Sequence, residues 1–251
     1  MEKFTIRDWR TGEVIHEGEA ESFKEFVEKN KGNLRNANLK GAYLKGAYLE
    51  GANLKDAYLK DAYLKGANLE GANLECANLE GANLINAYLI NAYLKCADLE
   101  DANLINANLI NAYLKCANLK GADLSGANLE GANLINAYLI NAYLKCADLE
   151  DANLINAYLR RANLMGANFK NSTISINNKR IFAIKLSNSN IEDQNINEIK
   201  VIIGCKIKTI KEWDTWFTSD EEYETKRGTF EFRQIEAMYE AYKAYIVKLW
   251  S

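Results

Sequence analysis

The sequence predicts a mainly β solenoid with a small N-terminal cap and a C-terminal α/β domain. Three observations carry this. Leucine stands at every fifth position from Leu34 to Leu164, Phe169 continues the series, and the residue two before each is alanine from Ala37 to Ala167. The stretch "ANLINAYLINAYLKCADLEDANLINA" at 82–107 returns unchanged at 132–157. The period is absent from residues 1–30 and decays after 170, where ordinary strand and helix patterns take over.

A helix cannot use a five-residue period. Five residues turn about 500° around its axis, so successive leucines would drift instead of forming a stripe. Short extended segments do fit, because residues i−2 and i share one side and their neighbours the other. Counting from each leucine as i, Ala at i−2 and Leu at i point inward. Asn, Asp or Tyr at i−1 and the variable residue at i+1 face solvent. Gly, Asn or Asp recur at i+2, where the chain must turn a corner with unusual backbone angles.

The run "ANLKDAYLKDAYLKGANLEGANLE" at 52–75 resembles the pentapeptide-repeat family, and the likeness extends over residues 31–170. It implies a right-handed, quadrilateral parallel β-helix with four pentapeptides per coil. On that basis the segment makes about seven coils, a rod of roughly 34 Å at about 4.8 Å per layer. The five-residue period alone does not show the number of sides. Cys76, Cys96 and Cys116, spaced by 20, would then stack in one column.

Solenoid ends expose strand edges and apolar cross-sections that must be covered. Residues 1–30 read as such a cover. "KFTIRDW" and "EVIHEG" flank Thr11 and Gly12 as a hairpin, and "SFKEFVEKN" opens a helix with a Ser22–Glu25 capping box. Residues 171–251 read as a C-terminal α/β cap domain. "TISI", "RIFAIKL" and "IKVIIG" are its candidate strands, with a worn extra coil over 176–201 as the other reading. Three helices are expected to begin near Thr209, Ser219 and Thr229. The last is amphipathic, with Phe232, Ile235, Tyr239, Tyr242, Ile246 and Leu249 on one face, packed on its own domain or pairing two copies as a homodimer. "IGCKIKTIKEW" at 203–213 resembles a tail module of phage and bacterial pentapeptide proteins.

Composition narrows the chemistry. No apolar run approaches the roughly 18 residues of a membrane helix, and "MEKFTIRDWRTGEV" is charged and strand-like rather than a leader, so a cytoplasmic protein is expected. The five cysteines suit free thiols in a reducing compartment, and no spacing suits zinc. His16 is the only histidine, which leaves little for general base catalysis. No catalytic residue, cofactor or metal is expected. Lys plus Arg against Asp plus Glu runs 5 to 8, 14 to 14 and 12 to 12 over the three segments. Direct nucleic-acid binding would show a basic excess, and none appears.

Sorting outward residues by twenties gives candidate surfaces. Arg35, Lys55, Lys95 and Lys115 form a basic column interrupted by Glu75, and Glu50, Glu70, Glu130 and Glu150 an acidic one beside Asp148 and Asp151. Ile85 with Ile105, and Ile90 with Ile110, form an apolar patch near Tyr88. The 50-residue copy places Ile135, Ile140 and Ile155 on the opposite side, half a turn away. These isoleucines, like the ten outward tyrosines, fit an interaction site or ladders that stabilise a flat sheet. The expected function is a non-catalytic scaffold presenting a rigid rod to a protein partner. Some members of the resembled family mimic DNA toward type II topoisomerases. The alternative is therefore a DNA-mimic inhibitor of a DNA-acting enzyme, a topoisomerase or a bacterial defence nuclease.

Overall fold

In the computed structural model, the residues described are 1–159, 161–170, 172–176, 179–183, 200–203, 206–219, 236, 239 and 240. The helices expected near Ser219 and Thr229 lie outside them, except that Glu236, Tyr239 and Glu240 are helical. Cys205 and most of 176–201 also lie outside.

The five-residue period becomes a ladder with a 20-residue step. Residues at i−1 pair in parallel with those 20 further on, from Asn38 with Tyr58 to Asp148 with Asn168. Between these levels the leucine N–H groups from Leu34 to Leu149 reach the next rung, as Leu84 does to Asn103 O at 2.7 Å and Leu104 to Asp123 O at 2.7 Å. The corner turns explain the composition. Ala87 N–H donates to Leu84 O at 2.9 Å, closing a four-residue turn whose third residue, Asn86, has φ 55°. Positive φ at that place marks a type II turn and favours Gly, Asn or Asp. Where i−1 is Asn or Asp, its Oδ1 also accepts the N–H at i+1, as Asn83 does from Ile85 at 3.2 Å.

The extended segments are as short as the five-residue block predicts. The sides of the rod are not long strands: apart from β3 (Asn153–Ile155), the rungs within the repeat are isolated bridges. A five-residue block with a two-residue corner leaves three extended residues per side, and only the central one bridges in both directions. The inward set behaves as read, with Leu44 to Leu154 and Ala47 to Ala152 essentially inaccessible. Small Ala beside large Leu fills a narrow interior from all sides.

At the N-terminus, β1 (Glu2–Arg7) and β2 (Val14–Ala20) form an antiparallel hairpin, and α1 (Phe23–Lys29) buries Phe26 and Val27. Ser22 Oγ accepts the Glu25 N–H at 3.2 Å, while Glu25 Oε2 accepts from Glu21 N at 2.8 Å, one residue before the cap. The hairpin pairs with the first rung: Asp8 bridges Ala37, Asn38 N donates to Arg7 O at 2.8 Å, and Trp9 Nε1 donates to Asp56 O at 2.8 Å. These bonds occupy edge groups that would otherwise template aggregation.

At the other end the rod's step continues past residue 170. β4 (Thr173–Ile176) lies parallel to β3 with Thr173 opposite Asn153, and β5 (Lys179–Ala183) returns antiparallel to β4. β6 (Lys200–Ile203) and β7 (Lys206–Thr209) form a second hairpin leading into α2 (Ile210–Thr218). Trp213, Trp216 and Phe217 of α2 are buried, and Tyr239 stacks on Phe217 at 4.8 Å and donates to Asp214 Oδ1 at 2.9 Å.

Candidate interaction surface

With the interior filled by Ala and Leu, chemistry is confined to the four faces and four corners. The charged columns pair along the axis. Lys55 meets Glu75 at 2.8 Å, Lys60 meets Glu80 at 2.8 Å, Lys120 meets Glu100 at 2.6 Å and Lys170 meets Glu150 at 2.5 Å, each pair one rung apart. Glu75, which interrupts the basic column in the sequence, is therefore the partner of Lys55. Its carboxyl is held below the ordinary range chiefly by that hydrogen bond. Lys120 and Asn118 do the same for Glu100.

The acidic column behaves differently. Glu50, Glu70 and Glu130 are exposed and take part in no ion pair among the described residues, whereas half-buried Glu150 is tied to Lys170. Ile90 and Ile110 separate the first two glutamates from the last two. The isoleucines Ile85, Ile90, Ile105, Ile110, Ile135, Ile140 and Ile155 are all half-buried against their rung neighbours. Exposed apolar area comes instead from tyrosine: Tyr48 is 71% exposed, Tyr43 65% and Tyr88 52%. Some outward rings form ladders. Tyr43 stacks on Tyr63 and Tyr93 on Tyr113, both at 5.0 Å, and Tyr138 on Tyr158 at 4.8 Å.

Tyr48 and Tyr88 have no such ring partner among the described residues. They share one face two rungs apart, roughly 9.6 Å at 4.8 Å per rung, with Asn68 on the rung between. The gap is an open hollow of about 390 Å³ floored by Gly46, Gly66 and Asn68, with Glu70 on its rim. A second hollow of about 460 Å³ begins at Tyr88 and runs over Asn86, Asn106, Asn108, Gly126 and Asn128. The structure thus joins Tyr88 to the acidic column more closely than to Ile85 and Ile105. Tyr48 was missed by the sequence reading. Its signal was there, because Tyr48 and Tyr88 fall in one column once i−1 residues are sorted by twenties, with Gly46 and Gly66 in the adjoining i+2 column.

No helix among the described residues is long and apolar enough to cross a membrane. No curated protein matches the chain. Among solved structures it is similar to HetL, a pentapeptide repeat protein involved in heterocyst differentiation regulation from the cyanobacterium Nostoc sp. strain PCC 7120. The identity is 37%, covering 53% of this chain and 72% of that one, with TM-score 0.30. It is similar to Rfr23 from the cyanobacterium Cyanothece 51142 at 34% identity, covering 45% and 91%, with TM-score 0.44. Full-length QnrB1, a plasmid-mediated fluoroquinolone resistance protein, is 21% identical over 48% of this chain and 64% of that one, with TM-score 0.35. The family model of pentapeptide repeats matches residues 33–71, 62–95, 72–109, 92–131 and 132–171, in 8 copies. Those segments span more than half of the sequence and coincide with the 20-residue ladder, so the chain belongs to the pentapeptide-repeat family.

Proposed function

We propose that this chain is a non-catalytic, cytoplasmic binding rod, a right-handed β-helix of about seven coils that engages a protein partner through the Tyr48–Tyr88 face. The hollow between these two exposed tyrosines, rimmed by unpaired Glu70 with Glu50 one rung away, carries the reading. It suits a basic side chain of a protein. An arginine laid on the Gly66 floor would meet a ring face on either side and a carboxylate at the rim. Tyrosine and arginine are the residue types that dominate binding hot spots.

The DNA-mimic alternative would use the same acidic column. Runs of two glutamates separated by Ile90 and Ile110, with Glu150 neutralised by Lys170, form a poor copy of an unbroken phosphate track. A protein-binding role uses the tyrosines and the isoleucines as well. Of the face a homodimer through the last helix would use, only Tyr239 is described, and it is buried against Phe217 of α2.

The test is a capture experiment from bacterial lysate with four immobilised versions of the full chain: wild type, Tyr88→Ala with Glu70→Lys, Ile85, Ile90, Ile105 and Ile110 all changed to Lys, and Ile135 with Ile155 changed to Lys. A partner held by the wild type and by the Ile135/Ile155 variant, but lost with Tyr88 and Glu70, is the expected result. Equal capture by all four would overturn the assignment of this face. Loss only from the Ile85 group would move the site to the isoleucine patch, and a topoisomerase as the captured protein would favour the DNA-mimic alternative.

A further inference from the structure

Three of the five cysteines stand in file along one corner of the rod. Cys76, Cys96 and Cys116 occupy the third position of corner turns on successive rungs, with φ of 56°, 57° and 60°. Their N–H groups are spent identically, donating to Lys95 O at 3.0 Å, Lys115 O at 3.0 Å and Ile135 O at 2.9 Å. The same backbone geometry in register makes their Cα–Cβ bonds parallel, so the thiols repeat at the rung spacing. On the adjoining face of these same rungs, Tyr93 and Tyr113 stack at 5.0 Å and 4° from parallel, which measures that spacing directly. Cys76 and Cys96 are exposed and Cys116 is half-buried, so the file is open to solvent.

Corner side chains on this rod lean along the axis toward the following rung. Asp101 Oδ1 lies 2.1 Å from where a Cβ on Gly121 would be, Asn106 Oδ1 2.4 Å from that of Gly126, and Cys146 Sγ 3.3 Å from that of Gly166. Each stacked thiol therefore leans toward the next cysteine of the file. The Cys96 thiol is pushed up by burial and further by its neighbours Cys116 and Cys76, in keeping with that proximity.

A rung of about 4.8 Å is too long for an unstrained disulfide, whose Cβ atoms lie about 3.5–4.5 Å apart. Among the described residues no three His, Cys, Asp or Glu side chains converge as a metal cluster, so a trigonal or tetrahedral cage is not what the file offers. Linear coordination asks for only two sulfurs on opposite sides of one ion. Two metal–sulfur bonds of about 2.3 Å laid end to end span about 4.6 Å, close to one rung. Thiolates select soft ions, Cu(I) foremost.

We propose that the Cys76–Cys96–Cys116 file binds a soft monovalent cation of the Cu(I) class in line between successive thiolates, with Cys96 common to both possible pairs. Each ligating thiol releases its proton to solvent, and no electron is transferred. Two thiolates and one monovalent cation leave a single negative charge, which one ammonium group offsets; exposed Lys95, next in sequence to Cys96 and already felt by its thiol, is placed to do so. Cys146 is the built-in control, since its column neighbours are Gly126 and Gly166 and it has no thiol to share an ion with.

The experiment uses the full reduced chain and Cu(I) supplied as its coloured complex with excess bicinchoninate. Loss of colour reports transfer to the protein, and far-UV circular dichroism checks that each variant is folded. The wild type should withdraw copper. Cys76→Ser and Cys116→Ser each keep one pair and should do so nearly as well, and Cys146→Ser and Cys205→Ser should match the wild type. Cys96→Ser breaks both pairs and should weaken binding by about 100-fold or more. Copper-edge X-ray absorption should show two sulfur neighbours and a linear-site signature. The proposal is overturned if the wild type leaves copper with the chelator, if Cys96→Ser competes as well as the wild type, or if Cys146→Ser is the variant that fails.

Discussion

The side-chain amide of Asn118 donates to Asp98 Oδ1 at 2.9 Å, one rung away, and to Glu100 Oε2 at 3.1 Å. Lys120 completes the cluster on Glu100 at 2.6 Å. Fifty residues further on, Asn168 donates to Asp148 at 2.8 Å and Glu150 at 3.5 Å, and Lys170 takes Glu150. The duplicated segment carries the acidic half of the cluster, and "ANLK" and "ANFK" just beyond each copy supply the other half. A copy displaced by two and a half coils puts the second cluster on the opposite face. The copy therefore preserves a local stabilising unit rather than one continuous surface.

Replacing Asn118 by Leu leaves Asp98 and Glu100 without their shared donor. The expected loss is on the order of 1 kcal/mol, read from the shift in urea midpoint. Asp98→Leu alone should cost a similar amount, and the double variant less than the sum. Strict additivity would show that the amide does not couple the two rungs.

The interior has no spare room and no slack. Leu104 is wholly inaccessible, so Leu104→Ala should destabilise by about 2–5 kcal/mol. Ala102, 1% exposed, faces the same interior, and Ala102→Leu should cost about 1–3 kcal/mol through overpacking. Thermal melts of the two single variants check both. A neutral Ala102→Leu would mean that the corner spacing yields more readily than the ladder of short hydrogen bonds implies.

Two glycines separate backbone strain from crowding. Gly51 has φ 63° and open space where a Cβ would go, so Gly51→Ala should cost only the left-handed penalty, about 1–2 kcal/mol. Gly131 has φ 65°, but its added Cβ would lie 2.2 Å from Asn111 Oδ1. Gly131→Ala should therefore cost more, and placing it in an Asn111→Gly background should bring the cost down to that of Gly51→Ala.

The strict period made the rod legible because translation along the axis gives every residue an environment fixed by its place in the pentapeptide. Ala and Leu inside, Asn and Tyr outside and positive φ at the corners all follow from that one rule. What hid was the interaction between rungs. Glu75 looked like a defect in a basic column and is the partner of Lys55, because complementary charges attract along the axis as well as around it. The Tyr48–Tyr88 hollow needs residues from two different columns considered together, tyrosines at i−1 and glycines at i+2. β7 was read as part of a tail motif, since "KIKT" is too short and too polar to announce a strand before its pairing with β6 is seen.

The axial ion pairs give the rod a pH dependence whose sign can be fixed. Glu75 and Glu100 titrate below the usual 4.5 in the folded chain, held there by hydrogen bonds from Lys55 and from Lys120 with Asn118. Between the folded and unfolded values the unfolded chain binds more protons, so the stabilisation is present above pH 4.5 and is lost as pH falls through the lowered folded values. Lys55, Lys60 and Lys120 are raised above 10.5, chiefly by hydrogen bonds from their ammonium groups to Glu75, Glu80 and Glu100. Their stabilisation is present below 10.5 and is lost as pH rises through the raised values. Melting temperature against pH should therefore be flat across neutrality and fall at both ends. A Glu75→Gln, Glu100→Gln variant should lie slightly below the wild type at neutral pH and converge with it in acid. The groups are largely solvated, so the difference should be small and shrink further in 1 M salt. A gap that widened in acid would show that these pairs do not set the acid limb.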